Sequence, residues 1–344
     1  MTDKASIQSR FFQRVKERLD PHISLVDELA EMLGLSNDSA YRRIRGETSL
    51  TFDELTKLSQ RFNISIDSLM GSSSNDVVFH YQPLEEGSFD FMTYLEYIRG
   101  QMQLIAASED KEVIYMANEI PLFHLMHVPE IAAFKLFFWQ KTILDFSDFR
   151  SQKFKLMQKD ERVNELSRDI RDLYCKIPST EIYHSETIDT TLKQVEYYFV
   201  TGYFEDKREA LYILDKLAEL VDHIKHQCEA GCKYKRTDDG RIPEFLGYPK
   251  ENNYTVFHNE VLHTDNTILV RLGDRYISFL TSNGISSLST ENEHFFVNSK
   301  KALEILKRRA TIISGTSEKE RNRVFESYQR KISKLKDRLK MMME

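Results

Sequence analysis

Three arginines fall within four positions of the chain, at Arg42, Arg43 and Arg45, directly after a run of polar side chains. A guanidinium can pair with guanine through two hydrogen bonds, while Asn and Ser can bond to bases or to phosphates. Clustered cations attract the phosphate backbone because their binding releases counterions. The pattern therefore predicts a contact with nucleic acid. Base edges are the expected partners of Asn37, Asp38, Ser39, Tyr41 and Arg42, and phosphates are those of Arg43 and Arg45.

Two short helices are predicted to position these residues. Ser24 is placed to cap the first helix, which Gly34 ends because glycine readily takes the left-handed conformation of a helix terminus. Ser36 caps the second helix, and Gly46 closes it. A pair of helices joined by a turn of three residues is the helix-turn-helix layout. In it the first helix crosses the DNA backbone and the second enters the major groove.

Two further helices are expected to complete this segment. Apolar residues at helical spacing predict one from Gln8 to Leu19, ended by Pro21. Thr51 and Glu54 form a capping box for the other. These helices supply the apolar surface against which the helix-turn-helix packs.

The stretch resembles the Xre/Cro, or lambda-repressor-like, helix-turn-helix family over about residues 8–70. Many members have glutamine at the start of both central helices and glutamate before the Arg-Gly pair, where this chain has Leu25 or Val26, Asn37 and Ile44. The resemblance implies the fold and a role in transcription, and it does not carry over individual base contacts. The matching positions are Leu29-Ala30, Gly34-Leu35-Ser36, Arg45-Gly46 and the tail from Phe62 to Leu69.

Composition indicates an ordinary folded protein with 41% hydrophobic and 30% charged residues. The net charge of −6 argues against attraction of the whole chain to nucleic acid, so local clustering must supply it. The cysteines, Cys175, Cys228 and Cys232, are odd in number and few, which favours reduced thiols in a cytoplasm. No signal peptide or membrane span is evident in the sequence. A cytoplasmic location is expected.

The chain is expected to contain two domains joined by a Ser-rich linker. We predict a DNA-binding domain at 1–71, a linker at 72–76, and an α+β domain for dimerisation and effector sensing at 77–344. The fold class is mainly α with an α+β C-terminal part, which combines many helices with a small antiparallel sheet. That sheet is predicted as a meander of Tyr254 to Leu262, Thr267 to Leu272 and Tyr276 to Thr281. These runs are rich in β-branched and aromatic residues, and turn residues separate them.

The predicted last helix, Glu318 to Met342, has apolar residues at alternating steps of three and four. This pattern is typical of a coiled-coil seam and would suit a homodimer that reads two half-sites of double-stranded DNA. The same stripe would equally serve to pack the helix onto its own domain. Both interpretations stay open.

Two groups of residues are candidates for metal or catalytic chemistry. His223, His226, Cys228 and Cys232 lie within ten residues and include zinc-ligand types, although no second pair follows at finger spacing. His258, Glu260 and His263 lack the spacing of zinc peptidases, because the two histidines are five apart in a predicted strand. We expect no cofactor, no metal and no enzymatic activity.

The sequence thus favours a DNA-binding transcriptional regulator, a homodimer with an unidentified small-molecule effector. The alternatives are a DNA-targeted enzyme and an adaptor whose helix-turn-helix domain binds another protein. Aromatic residues that would suit an effector pocket, and equally an ordinary core, are Phe137, Phe138, Trp139, Tyr197, Tyr198 and Phe199.

Overall fold

The computed structural model describes residues 6–20, 22–62, 64, 66, 76–81, 84, 89–156, 161–236, 253–260, 266–282 and 284–344. The chain divides into two compact units, Met1–Val78 and Phe79–Glu344. Residue 76 is the only described residue of the predicted linker 72–76, and most of the tail from Phe62 to Leu69 also lies outside the described residues. The predicted domain limits stay a prediction.

The described residues of the first unit form four helices that enclose a small apolar core. Phe11 and Leu58 are fully buried there, and Leu29 is almost so. Thr51 and Glu54 complete the capping box that their spacing predicts, with both reciprocal hydrogen bonds formed. The helices are α1 (Ile7–Arg18), α2 (Leu25–Leu33), α3 (Asn37–Ile44) and α4 (Phe52–Arg61).

The second unit combines helices with a sheet, as the fold class predicts, although the sheet is mixed rather than antiparallel. Its helices are α5 (Phe91–Ala107), α6 (Leu122–Leu125), α7 (Pro129–Phe138), α8 (Ser147–Arg150), α9 (Glu161–Cys175), α10 (Asp189–Val200), α11 (Arg208–Ala230), α12 (Glu293–Lys307) and α13 (Glu318–Met341). A π-helical turn, Trp139–Ile143, continues α7. The strands are β1 (His80–Tyr81), β2 (Lys111–Met116), β3 (Ser179–His184), β4 (Tyr254–Asn259), β5 (Thr267–Leu272), β6 (Arg275–Ser282), β7 (Ser286–Thr290) and β8 (Thr311–Ile312).

The eight strands form one sheet in the order β1-β7-β6-β5-β2-β3-β4-β8. The pairs β2/β3 and β3/β4 are parallel, and the others are antiparallel. The predicted meander is therefore wrong in one respect. β5 and β6 do form an antiparallel hairpin, whereas β4 lies beyond β2 and β3 and pairs parallel to β3. The helices between β2, β3 and β4 make the crossovers that parallel pairing needs.

Helices cover both faces of this sheet. On one face Ile114, Ile182 and Leu269 pack against α12 through Phe296 and Leu303. On the other face the neighbouring residues of the same strands point into a larger core shared with α5, α7, α9, α10, α11 and α13. The alternation follows from the pleat, in which successive side chains point to opposite faces.

The apolar stripe of α13 belongs to this larger core. Phe325, Tyr328, Ile332, Leu335 and Leu339 are all buried, and α13 packs against α10 and α11 of the same unit. The interpretation of this stripe as a seam between two copies is therefore wrong, and the intradomain alternative is confirmed. No helix within the described parts of the chain is both long and apolar enough to cross a membrane.

Candidate nucleic-acid interface

The turn between α2 and α3 takes the geometry that a helix-turn-helix requires. Gly34 adopts the left-handed conformation, with φ of 64° and ψ of 40°. The Leu35 N–H donates to the Ala30 carbonyl at 2.9 Å, so the turn also satisfies a carbonyl at the end of α2. A residue with a Cβ would be strained at this φ, which explains why glycine occupies the position.

Side chains at the start of α3 fix its angle to α2. The Ser36 hydroxyl accepts a hydrogen bond from the Ser39 N–H at 3.3 Å and thereby caps α3. The Asn37 amide donates to the Asp27 carboxylate of α2 at 2.8 Å. Beneath them Ala40 is fully buried against the core of the first unit. These contacts hold the two helices as one rigid piece.

The predicted contact residues lie on α3 and at its C-terminal cap, Arg45. They differ in their exposure to solvent. Ser39 and Arg43 are half-buried. The exposed members of the set are Asn37, Asp38, Tyr41, Arg42 and Arg45.

The two exposed arginines share one acidic neighbour. Glu47 lies 3.9 Å from Arg42 and 3.3 Å from Arg45, measured between carboxylate oxygen and guanidinium nitrogen. The Arg45 guanidinium also lies 5.6 Å from the centroid of the Tyr41 ring. Exposed ion pairs of this kind are weak, so phosphate groups can compete with Glu47 for both cations. Sequence reasoning missed Glu47, although its place next to Arg45-Gly46 was a usable signal.

Arg43 has a structural role. Its guanidinium makes two hydrogen bonds to the Glu54 carboxylate, at 3.2 and 2.9 Å, and a third to the Ser39 carbonyl. Burial raises the pKa of Glu54, but hydrogen bonds from Arg43 and Thr51 outweigh it and lower that pKa overall. The pair links α3 to the capping box of α4. The predicted phosphate contact of Arg43 stays a prediction, and this geometry does not favour it.

Gln8 is a second residue that sequence reasoning missed. Its amide donates to the carbonyls of Arg43 and Thr48 at 2.7 and 2.8 Å, and its oxygen accepts from the Leu50 N–H at 3.0 Å. One side chain of α1 thus fastens the loop that follows α3. No local pattern signals this role, because the bonded residues are about 40 positions away.

The charge of α2 limits how the first unit can hold phosphate. This helix contains Asp27, Glu28 and Glu31 and no lysine or arginine. This helix therefore supplies no cationic side chain to a phosphate at its start, where the backbone amides of the N-terminus can bind an anion. The cations available at the exposed end of α3 are Arg42 and Arg45.

The candidate metal residues do not form a metal site. Among the described residues, no group of three or more His, Cys, Asp or Glu side chains is placed to hold an ion. His223 bonds to the Tyr234 carbonyl at 3.2 Å, and Cys228 is fully buried in the core of the second unit. Burial raises the pKa of the Cys228 thiol, which makes it a poor nucleophile at neutral pH.

The two described candidate catalytic residues near β4 differ in burial and in partners. His258 is buried within the strand, and burial lowers its pKa to about 4. Glu260 is exposed and pairs with Arg323 of α13. His263 lies outside the described residues.

A buried carboxylate centre that the sequence did not predict lies in the second unit. Glu181 of β3 is fully buried and accepts hydrogen bonds from Tyr174, Tyr183 and Tyr254 at 2.5, 2.7 and 2.9 Å. His124 bonds to both of its oxygens, at 3.0 and 3.1 Å. Both oxygens are thus fully engaged, as a structural charge requires.

The aromatic residues predicted for an effector pocket lie in different environments. Phe137, Phe138, Tyr198 and Phe199 are buried in the main core of the second unit, and Tyr197 is exposed. Trp139 alone among the six lines a cavity of about 160 Å³. Most of these side chains therefore follow the ordinary core interpretation.

Residues 7–93 match the model of the BetR domain, a helix-turn-helix-type DNA-binding family. The match covers about a quarter of the chain. It takes in α1 to α4 and extends into the second unit as far as the first turn of α5. At the level of that family, the match supports a DNA-binding regulatory role. No curated protein and no solved structure matches the chain.

Proposed function

We propose that this chain is a sequence-specific transcriptional regulator of the Xre/Cro, lambda-repressor-like type, and that α3 lies in the major groove of double-stranded DNA. The observation that carries the proposal is the α2-turn-α3 unit, closed by the left-handed Gly34 and the Ser36 cap. The exposed side of α3 bears Arg42, which can pair with guanine through two hydrogen bonds. The BetR match over the same residues supports it.

The proposal includes action as a homodimer. The helix-turn-helix offers few free cations, because Arg43 is bonded to Glu54 and α2 contains no lysine or arginine. A single copy would therefore bind DNA weakly, whereas two copies can read half-sites about 34 Å apart. The dimer surface must differ from the apolar stripe of α13, which is buried within its own unit. Such a regulator works where the chromosome is, which in a bacterium is the cytoplasm.

We further propose that the second unit acts by binding rather than by catalysis. Its most polar buried group, the Glu181 centre, has both carboxylate oxygens engaged by protein partners. A catalytic carboxylate would need a face open to substrate. An effector-sensing role fits the aromatic cavity beside Trp139.

The proposal is tested with the intact chain on DNA selected from a random library. Arg42→Ala should lower affinity for the selected sequence by about 1 to 3 kcal/mol, with a much smaller effect on random DNA. Arg10→Ala is the matched control, since Arg10 is an exposed arginine of α1 outside the helix-turn-helix. It should leave the ratio of specific to non-specific affinity unchanged. Selection of no common sequence, or an equal loss on all sequences with Arg42→Ala, would contradict base recognition by Arg42.

A further inference from the structure

The second unit contains a cavity of about 160 Å³ between α5 and the face of the sheet formed by β2, β5, β6 and β7. Its walls are mostly apolar and rich in rings. An apolar cavity of about 150 Å³ in another protein accepts benzene, so this volume suits a molecule built on one ring. Rings in such a space stack or meet edge to face with aromatic walls. The aromatic side chains of the wall include Tyr94, Tyr97, Tyr115, Phe123, Trp139 and Phe279.

The charge of the wall selects an uncharged ligand. Among the described residues, no lysine or arginine lines the cavity, so a carboxylate or phosphate would find no counter-ion. Glu119 is the acidic residue of the wall, and its carboxylate already accepts from the Lys135 ammonium at 2.6 Å. Lys135 is itself buried and also donates to Gln194 at 2.9 Å. A cationic ligand would have to displace this buried pair, which is costly.

A polar group of the wall gives the ligand one anchoring point. The Asn266 side-chain oxygen accepts from the Asn118 N–H at 2.7 Å. Its carboxamide therefore has two N–H donors left to offer. A ligand that carries a hydrogen-bond acceptor, such as an ether or carbonyl oxygen, matches this group.

The backbone around the cavity includes a π-helical turn and a glycine with positive φ. Trp139 begins the π-helical turn after α7, and insertions of this kind occur often at functional sites. Gly284, which also lines the cavity, has φ of 87°, and a Cβ there would lie 3.5 Å from Ile143 of the same turn. Tyr97 and Thr281 are exposed at the wall, so a ligand can enter from solvent.

We propose that this cavity binds an uncharged, apolar molecule of about one ring that carries a hydrogen-bond acceptor. Binding itself does not depend on the proposed function. The use of the molecule as an effector of DNA binding does rest on it. Among the described residues, α5 is the first helix after the DNA-binding unit in chain order, and it forms one wall of the site.

Trp139 gives the test a direct signal because it is the only tryptophan of the chain. The intact protein is titrated with 4-iodoanisole, whose iodine quenches a tryptophan at contact and whose ether oxygen is an acceptor. We expect saturable quenching together with a rise in melting temperature. The anion 4-iodobenzoate should bind about tenfold or more weakly, because its charge finds no partner in the wall. Linear quenching without saturation, or equal binding of the two probes, would overturn the proposal.

A cavity-filling variant locates the bound probe. Ile98→Phe places a ring into the cavity from α5 and should abolish saturable quenching. Leu104→Phe is the matched control on the same helix, where Leu104 is 59% exposed and does not line the cavity, and it should bind as the wild type does. If circular dichroism shows Ile98→Phe unfolded, Ser287→Phe fills the cavity from β7 instead. Unchanged binding by the folded filling variant would contradict the site. The titration contains no DNA. Its result therefore does not depend on whether the DNA-binding proposal is correct.

Discussion

Replacement of the buried Glu181 carboxylate by an amide should destabilise the second unit in a pH-dependent way. Burial raises the pKa of Glu181, but its electrostatic interaction and hydrogen bonds with His124, the charge of Lys233 and the hydrogen bond from Tyr174 outweigh it. The net result is a pKa lowered from 4.5 to about 2. The ionised form is therefore favoured by the folded protein over the unfolded chain.

The size of the effect follows from that shift. A fall of the pKa from 4.5 to about 2 corresponds to about 3 kcal/mol of folding free energy. Because the folded-state pKa is the lower one, this stabilisation is present above pH 4.5 and is lost as pH falls towards 2. Glu181→Gln should thus lower stability at pH 7 by about 3 kcal/mol, or the melting temperature by about 6 to 12 °C. The gap from wild type should narrow below pH 4.5.

The measurement is urea unfolding of the intact chain, followed by Trp139 fluorescence, at several pH values. Glu260→Gln is the matched control, since Glu260 is exposed and pairs only at the surface with Arg323. The control should change stability by at most about 0.5 kcal/mol. Equal stability of Glu181→Gln and wild type at pH 7 would refute the reasoning. It would mean that desolvation of the charge cancels its hydrogen bonds.

Three further perturbations test other parts of the molecule. Glu47→Gln should raise affinity for all DNA about two- to fivefold in a binding titration, because it frees two exposed arginines from a weak ion pair; weaker binding would contradict this. Gly34→Ala should cost about 1 kcal/mol, read from hydrogen exchange of first-unit amides, because φ there is 64°. Leu335→Ala should cost about 2 to 5 kcal/mol in chemical unfolding without any change of oligomeric state in sedimentation, since the side chain is buried within its own unit. Loss of a dimer with unchanged monomer stability would show that assignment to be wrong.

Local rules were sufficient to predict the helix caps and the turn of the first unit. Ser24, Ser36 and Thr51 were recognised as caps because a hydroxyl at a helix start can accept the orphan N–H three residues on, and all three do so. Gly34 likewise occupies the left-handed position expected of it. Such features depend on residues a few positions apart, which is why the chain order reveals them.

The strand order of the second unit could not be predicted in the same way, because it depends on pairing between segments that are far apart in the chain. β3 was missed because its sequence, STEIYH, places a carboxylate where a buried strand should be apolar. Glu181 is tolerated there only because side chains from distant segments, including Tyr254 and His124, surround it. β4 was assigned to the wrong neighbours for a related reason, since its partner β3 lies about 75 residues earlier in the chain.

The role of Arg43 shows the same limit within the candidate interface. Three arginines close together predicted three DNA contacts, but a helix of 3.6 residues per turn sends neighbours in different directions. Arg43 turns towards Glu54 of α4, whereas Arg42 and Arg45 stay exposed. Charge clustering along a sequence therefore overestimates the charge that one surface presents.

The most direct test of DNA recognition by α3 is the affinity ratio of the intact protein for its selected sequence and for a scrambled one at physiological salt. A regulator that reads base edges should prefer its own site by about 10³-fold or more. Affinity for both sequences should fall linearly with salt on logarithmic scales, because phosphate contacts release counterions. A ratio near one, or no salt-dependent binding to either DNA, would contradict sequence-specific recognition by this helix.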